Sequence, residues 1–163
     1  MSVRPAVDRV VGGVLAMLMG AAVLNILWQV ASRFLLGDPS SFTDEAARFL
    51  LIWIGLLGAA HVAGQRRHLA IDLLPGRLGP RGRALLGLVS EAVVAVFALA
   101  VLVVGGARLV ALTLELGQRS PALGIPLGWV YAVLPVSGAL VLFHCGCSGA
   151  EHRAILRASR GDD

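Results

Sequence analysis

Residues 10–32 read VVGGVLAMLMGAAVLNILWQVAS, 23 consecutive residues without a charged side chain. At ~1.5 Å of rise per residue, a helix of that length crosses a hydrocarbon core of ~30 Å. The rest of the chain repeats the pattern. Residues 49–65 form a shorter run that includes His61 and reaches spanning length if the helix starts near Asp44. Residues 84–107 are interrupted only by Glu91, and residues 125–143 are 19 residues free of charge. With 163 residues, 57% of them hydrophobic and only 15% charged, the chain lacks the polar surface that a soluble domain of this size needs. The fold class that follows is an all-α integral membrane protein with four transmembrane helices. They are expected at about 10–34, 44–65, 84–112 and 125–145, joined by a basic connector at 66–83, within a single small membrane domain at 1–163. The first run is longer than the apolar region of a signal peptide, and the later spans need the same membrane, so it is read as a retained helix.

Charge placement sets the expected topology. The net charge is +4 and the sequence pI about 10.4. All fourteen basic residues are arginine, and they lie in the gaps between apolar runs rather than on a soluble face, which excludes nucleic acid as a partner. Both tails and the second connection fall on one side of a four-span protein. That side carries ten arginines and the other side four. Short cytoplasmic loops are the arginine-rich ones, so both termini are expected in the cytoplasm. The second connection, QRRHLAIDLLPGRLGPRGR at 65–83, holds Arg66, Arg67, Arg77, Arg81 and Arg83. Leu69, Ile71, Leu73 and Leu74 precede the Pro75-Gly76 stop. Such a segment is expected to lie along the headgroups with its guanidinium groups on anionic phospholipids.

Polar residues inside the spans are few. Gly12, Ala16 and Gly20, and again Gly55, Ala59 and Ala63, recur at four-residue spacing that permits close helix approach. Asn25, Gln29, Ser32 and Arg33 share one side of the first helix. Ser41, Thr43, Asp44 and Glu45 supply capping hydroxyls and first-turn carboxylates to the second helix, with Arg33 or Arg48 available to pair with them. Pro126 marks a helix start and Pro135 a kink, with Trp129 and Tyr131 as interfacial aromatics. Glu91 is an ionisable group within a span and should face protein or water, with His61 as a candidate contact. Two alternatives to a non-catalytic membrane subunit are open at this point. His61 and His144 could clamp a haem in an electron-transfer subunit, or Glu91 could be the proton site of a stand-alone exporter. Cys145 and Cys147 lack a metal-spaced partner set, and no phosphate loop, nucleophile elbow, zinc-protease or dinucleotide motif is present. No enzymatic activity, cofactor or metal is expected.

Three stretches together resemble the small (Q-type, four-helix) permease subunit of tripartite ATP-independent periplasmic (TRAP) transporters. They are DEAARFLLIWIGLLGAAHVAGQRRHLAIDLL at 44–74, its continuation LPGRLGPRGRALL, and SPALGIPLGWVYAVLPVSGAL at 120–140. Within them Glu45, Arg48, Trp53, Gly58, His68 and Asp72 stand at the positions that carry the likeness. Phe42 departs from it, where relatives often carry tryptophan. The resemblance implies a multi-pass inner-membrane subunit of a sodium-driven organic acid symporter (dicarboxylate or another carboxylate). Its partners would be a large permease subunit and a periplasmic substrate-binding protein. It implies a scaffold role, with the sodium and substrate sites in the large subunit. The interface residues it implies, for partner or membrane, are Glu45, Arg48, Trp53, His68, Asp72 and Glu91 with the connector arginines.

Overall fold

The computed structural model describes residues 3–37, 41–65 and 80–158, and among these it is almost wholly helical. Helix α1 spans Val3–Leu35 and α2 spans Ser41–Gln65. Helix α3, Pro80–Phe97, runs into an eight-residue π-helical stretch at Ala98–Gly105 and continues as α4, Gly106–Glu115. After a turn come the short α5, Leu127–Tyr131, and α6, Val133–Ala158. Four helical segments are long and apolar enough to cross a membrane: Arg4–Leu35, Ser41–Gly64, Leu85–Glu115 and Leu127–Gly149. Helix α1 begins seven residues before the uncharged run, at Val3. Nothing in Arg4 to Arg9 breaks a helix, since a proline such as Pro5 is tolerated in a first turn. Asp8 thereby becomes a helical residue.

The helices form an open layer rather than a closed bundle. Helix α1 packs on α2, α2 on α6, and α6 on α3 and the π-helical stretch, while α4 packs on α5. Helix α6 is therefore the middle of the layer: 33% of its spanning window is buried, against 6% for α1. Its core contact gathers Ala60 of α2, Ala98 at the π-helical start and Val141 of α6, with Leu102, Leu140, Leu142 and Cys145 packed around them. The small residues are what let α6 sit so close to its neighbours. A Cβ at Gly138 would lie 2.7 Å from Leu102 Cβ and 3.1 Å from the Val103 amide nitrogen, and one at Gly106 would lie 2.8 Å from Leu134 Cβ. The glycine–alanine stripes, expected to pack within the bundle or against a partner subunit, take little part in packing within the chain. Ala16, Gly20, Gly55, Ala59 and Ala63 are exposed on the outside of the layer, and added Cβ atoms at Gly20 and Gly55 meet nothing within 4 Å. Of the two stripes, only Gly12 approaches another helix, with its Cβ position 4.0 Å from His61 Nε2.

Pro126 stands at the N-cap of α5, as its position predicts. Pro135 has no N–H to offer the Tyr131 carbonyl, and the helix breaks there: α5 closes at Tyr131 and α6 restarts at Val133. Trp129 is exposed beside this break, and Tyr131 is half-buried.

Gly138→Ala is expected to lower the thermal midpoint of the purified chain, because overpacking a close helix contact costs about 1–3 kcal/mol. Gly55→Ala, with open space around its Cβ, should leave the midpoint unchanged or raise it slightly, since alanine is the better helix former. A thermal-unfolding series on the two variants checks the contrast.

Candidate functional site

At the end of the layer where α1 turns into α2, two polar contacts join the elements and a third lies within α1. Asn25 Nδ2 donates to the Thr43 carbonyl at 2.8 Å, and Gln29 Nε2 donates to Asp44 Oδ1. One turn on, Ser32 is buried and donates to the Gln29 carbonyl at 3.0 Å. The side of α1 on which Asn25, Gln29 and Ser32 were placed by spacing is thus the side that meets α2. Asp44 and Glu45 open α2, but only Asp44 is spent on this hairpin.

Glu45 reaches across to the connection between α4 and α5. That connection is shaped by its own sequence. Gly117, at φ 60°, ends α4 in a left-handed conformation. The Gly117 and Gln118 amides then bond back to the Leu114 and Thr113 carbonyls, at 3.1 and 3.0 Å. Arg119 and Pro126 pair as an isolated antiparallel bridge, and the Ser120 amide bonds the Ile125 carbonyl at 2.9 Å. Pro121 bends the chain at the tip, and the amides of Ala122 and Leu123 point outward together. Both donate to Glu45 Oε2, at 2.9 and 3.0 Å. Successive amides that converge on one oxygen make a small anion cradle, and Glu45 fills it from within the chain. Arg48 is exposed one turn along α2.

Two of the stretches that carry the sequence likeness, at 44–74 and 120–140, are therefore in contact through the Glu45 carboxylate and two backbone amides. Spacing alone pointed Glu45 towards an arginine or a helix cap. Its partners include main-chain amides some 77 residues away, which no side-chain pattern announces.

At the other end of the layer, Asp8 Oδ1 lies 3.6 Å from His144 Nε2 and 4.0 Å from His61 Nδ1. The carboxylate beside His61 is that of Asp8, where the sequence had proposed Glu91. This arrangement does not fit a haem. Asp8 stands between the two imidazoles, and α2 packs so closely on the His144 ring that a Cβ at Gly64 would be 2.6 Å from it. Arg4 donates to the Gly64 carbonyl at 2.7 Å. Trp53 is half-buried in the middle of α2, and Glu91 is half-buried on α3, where it forms no ion pair among the described residues. Arg81 and Arg83 fall in the first turns of α3. Arg66, Arg67, His68, Asp72 and Arg77, with the expected interfacial segment, lie outside the described residues.

Residues 22–153 match the family model described as the DctQ component of tripartite ATP-independent periplasmic transporters. The chain belongs to the DctQ family. Among relatives of this small permease is the sialic acid TRAP transporter small permease protein of Vibrio cholerae, 31% identical over 131 residues, which cover 77% of this chain and 71% of the relative. A Haemophilus influenzae protein named as a TRAP transporter small permease is 28% identical over 122 residues, 74% of each chain. The family match takes in Glu45 and the whole cradle at 118–127. It begins at Ala22, so Arg4 and Asp8 lie outside it.

Glu45→Ala should free the Ala122 and Leu123 amides, and hydrogen exchange at both should quicken. Glu45→Gln keeps a side-chain oxygen as acceptor and should fall between Glu45→Ala and wild type. Exchange measured by mass spectrometry on the 116–127 peptide distinguishes the three.

Proposed function

We propose that this small permease is the fixed membrane frame of a sodium-driven organic acid importer. It would stand in the inner membrane beside a large permease that carries the sodium and substrate sites, and would be supplied by a periplasmic substrate-binding protein. The observation that carries this reading is the division of polar groups. The described polar contacts cluster at the two ends of the layer, where they tie helices to one another. Between them α6 is packed by Ala60, Ala98, Val141 and the leucines around them. An ion or dicarboxylate site within the membrane requires converging oxygen or cationic ligands, and among the described residues this middle brings together no such set. The sialic acid named for the Vibrio cholerae relative is itself a carboxylic acid, which supports a carboxylate as the transported class.

The whole chain acts as one membrane domain and catalyses no reaction. The arginine asymmetry supports both termini in the cytoplasm. On that orientation Arg66, Arg67, Arg77, Arg81 and Arg83 anchor the frame on anionic phospholipids, with His68 and Asp72 at the same surface. Trp53 and Glu91 belong to faces available to the large permease. At the opposite, periplasmic end, Glu45 and Arg48 shape the surface that meets the partners.

The reading is tested by uptake in proteoliposomes. Sodium-dependent uptake of an organic acid requires this chain, its large permease and its binding protein together, and this chain alone is expected to move nothing. Glu91→Gln in the full set should retain most of the uptake. Proton-coupled transport by the isolated chain that is lost in Glu91→Gln would replace the frame with the exporter.

A further inference from the structure

Helix α4 carries one cation on a face that is otherwise apolar. Gly106 and Thr113 are its buried residues, and an added Cβ at Gly106 would lie 2.8 Å from Leu134 Cβ, so this side of α4 meets its neighbours in the layer. Arg108 stands two residues beyond Gly106. At 3.6 residues per turn that is roughly 200° of rotation, which turns it to the opposite side. It is exposed there, between Val104 and Leu112, four residues before and after it and themselves 59% and 50% exposed. Among the described residues Arg108 makes no hydrogen bond or ion pair.

The packing also gives its depth. A Cβ at Gly128 would lie 2.5 Å from Leu114 Cγ, which sets the exposed, interface-type Trp129 near the level of Leu114. Arg108 is six residues nearer the middle of the span, ~9 Å along the helix. Leu112, Leu114 and Leu116 are all exposed beyond it, so apolar surface continues on both sides of the cation. A guanidinium keeps its charge in any protein environment, and within a span such a group is costly unless it faces protein or water. One anion at hand is the phosphate of a lipid headgroup. Reaching it requires the side chain to run towards Glu115, whereas Cα–Cβ bonds in a helix lean towards the N-terminus, here towards the middle of the membrane.

We propose that Arg108 pairs with a carboxylate in a membrane-spanning segment of the large permease, and that the outer face of α4 is where the two subunits meet. The proposal rests on the frame reading for the presence of that partner. A carboxylate answers both the charge and the planar, forked geometry of the guanidinium. Val104 and Leu112 flank the pair and keep water from it. Removing one partner of such a desolvated pair leaves the other charge uncompensated, so the contact decides whether the subunits stay together.

The test is co-purification of the large permease with the tagged chain from native membranes in mild detergent, scored by quantitative mass spectrometry. Arg108→Gln and Arg108→Leu should each retain about tenfold less large permease than wild type, and Arg108→Lys, which keeps the charge but not the fork, an intermediate amount. The thermal midpoint of the isolated chain in micelles should not fall in any of the three, which separates a lost interface from a lost fold. A photoreactive residue in place of Leu112 should cross-link to the large permease in the membrane. Retention equal to wild type in Arg108→Gln and Arg108→Leu overturns the pairing, as does a cross-link from position 112 to phospholipid alone. A midpoint that falls in these variants makes Arg108 a support of the chain's own fold and overturns it also. A wild-type chain that retains no large permease is a different failure: it removes the partnership itself, and the frame with it.

Discussion

A backbone amide inside hydrocarbon can bond only to its own chain, and the architecture follows from that requirement. It makes each spanning segment a helix. It leaves those helices without a hydrophobic drive to associate, since lipid tails are as apolar as the leucines and valines that face them. Association must then come from close packing and from a few polar bonds. Both are visible here, and they are separated in space. Close packing belongs to the middle of the layer, where Gly106 and Gly138 bring α6 against the third span at distances that any side chain would forbid. Polar bonds belong to the ends.

This separation links structure to role. An open layer with α6 at its centre leaves broad apolar faces, among them Leu24, Leu27, Val93 and Val96, for lipid or for another membrane protein. A protein that moves solute by itself needs a polar path through such a layer. A frame needs instead that its helices keep their relative positions. The Glu45 cradle joins the start of α2 to the α4–α5 turn by two main-chain hydrogen bonds, a link of the kind the proposed frame needs. Gln29 with Asp44, and Asn25 with the Thr43 carbonyl, extend the link to α1.

Much of this was legible in the sequence because lipid imposes simple rules. Uncharged runs of spanning length gave the four helices, and Pro126 and Pro135 located the start and break in the last of them. The side of α1 that bears Asn25 and Gln29 followed from helical spacing. What escaped has physical causes. Asp8 looked like part of a polar tail, since a helix that continues past its apolar run leaves no mark except the lack of a breaker. The stripes at 12–20 and 55–63 have the right spacing for packing, yet spacing cannot tell a face turned to a neighbour from a face turned outward. The glycines that do make close contacts stand singly, and the π-helical stretch ALAVLVVG reads like any apolar helix. Glu45 escaped because its partners are backbone amides, whose direction is set by a turn rather than by residue type.

The central claim is that this subunit stays rigid while its partner moves. Distances between spin labels on α1, α4 and α6 test it most directly, measured by pulsed electron resonance in the reconstituted complex with and without sodium and substrate. A frame predicts that the distances within this chain stay constant to within the ~1–2 Å of a minor helix adjustment. A displacement of α1 or α4 against α6 by about one helical turn, ~5 Å, would make the chain a moving part and contradict the account.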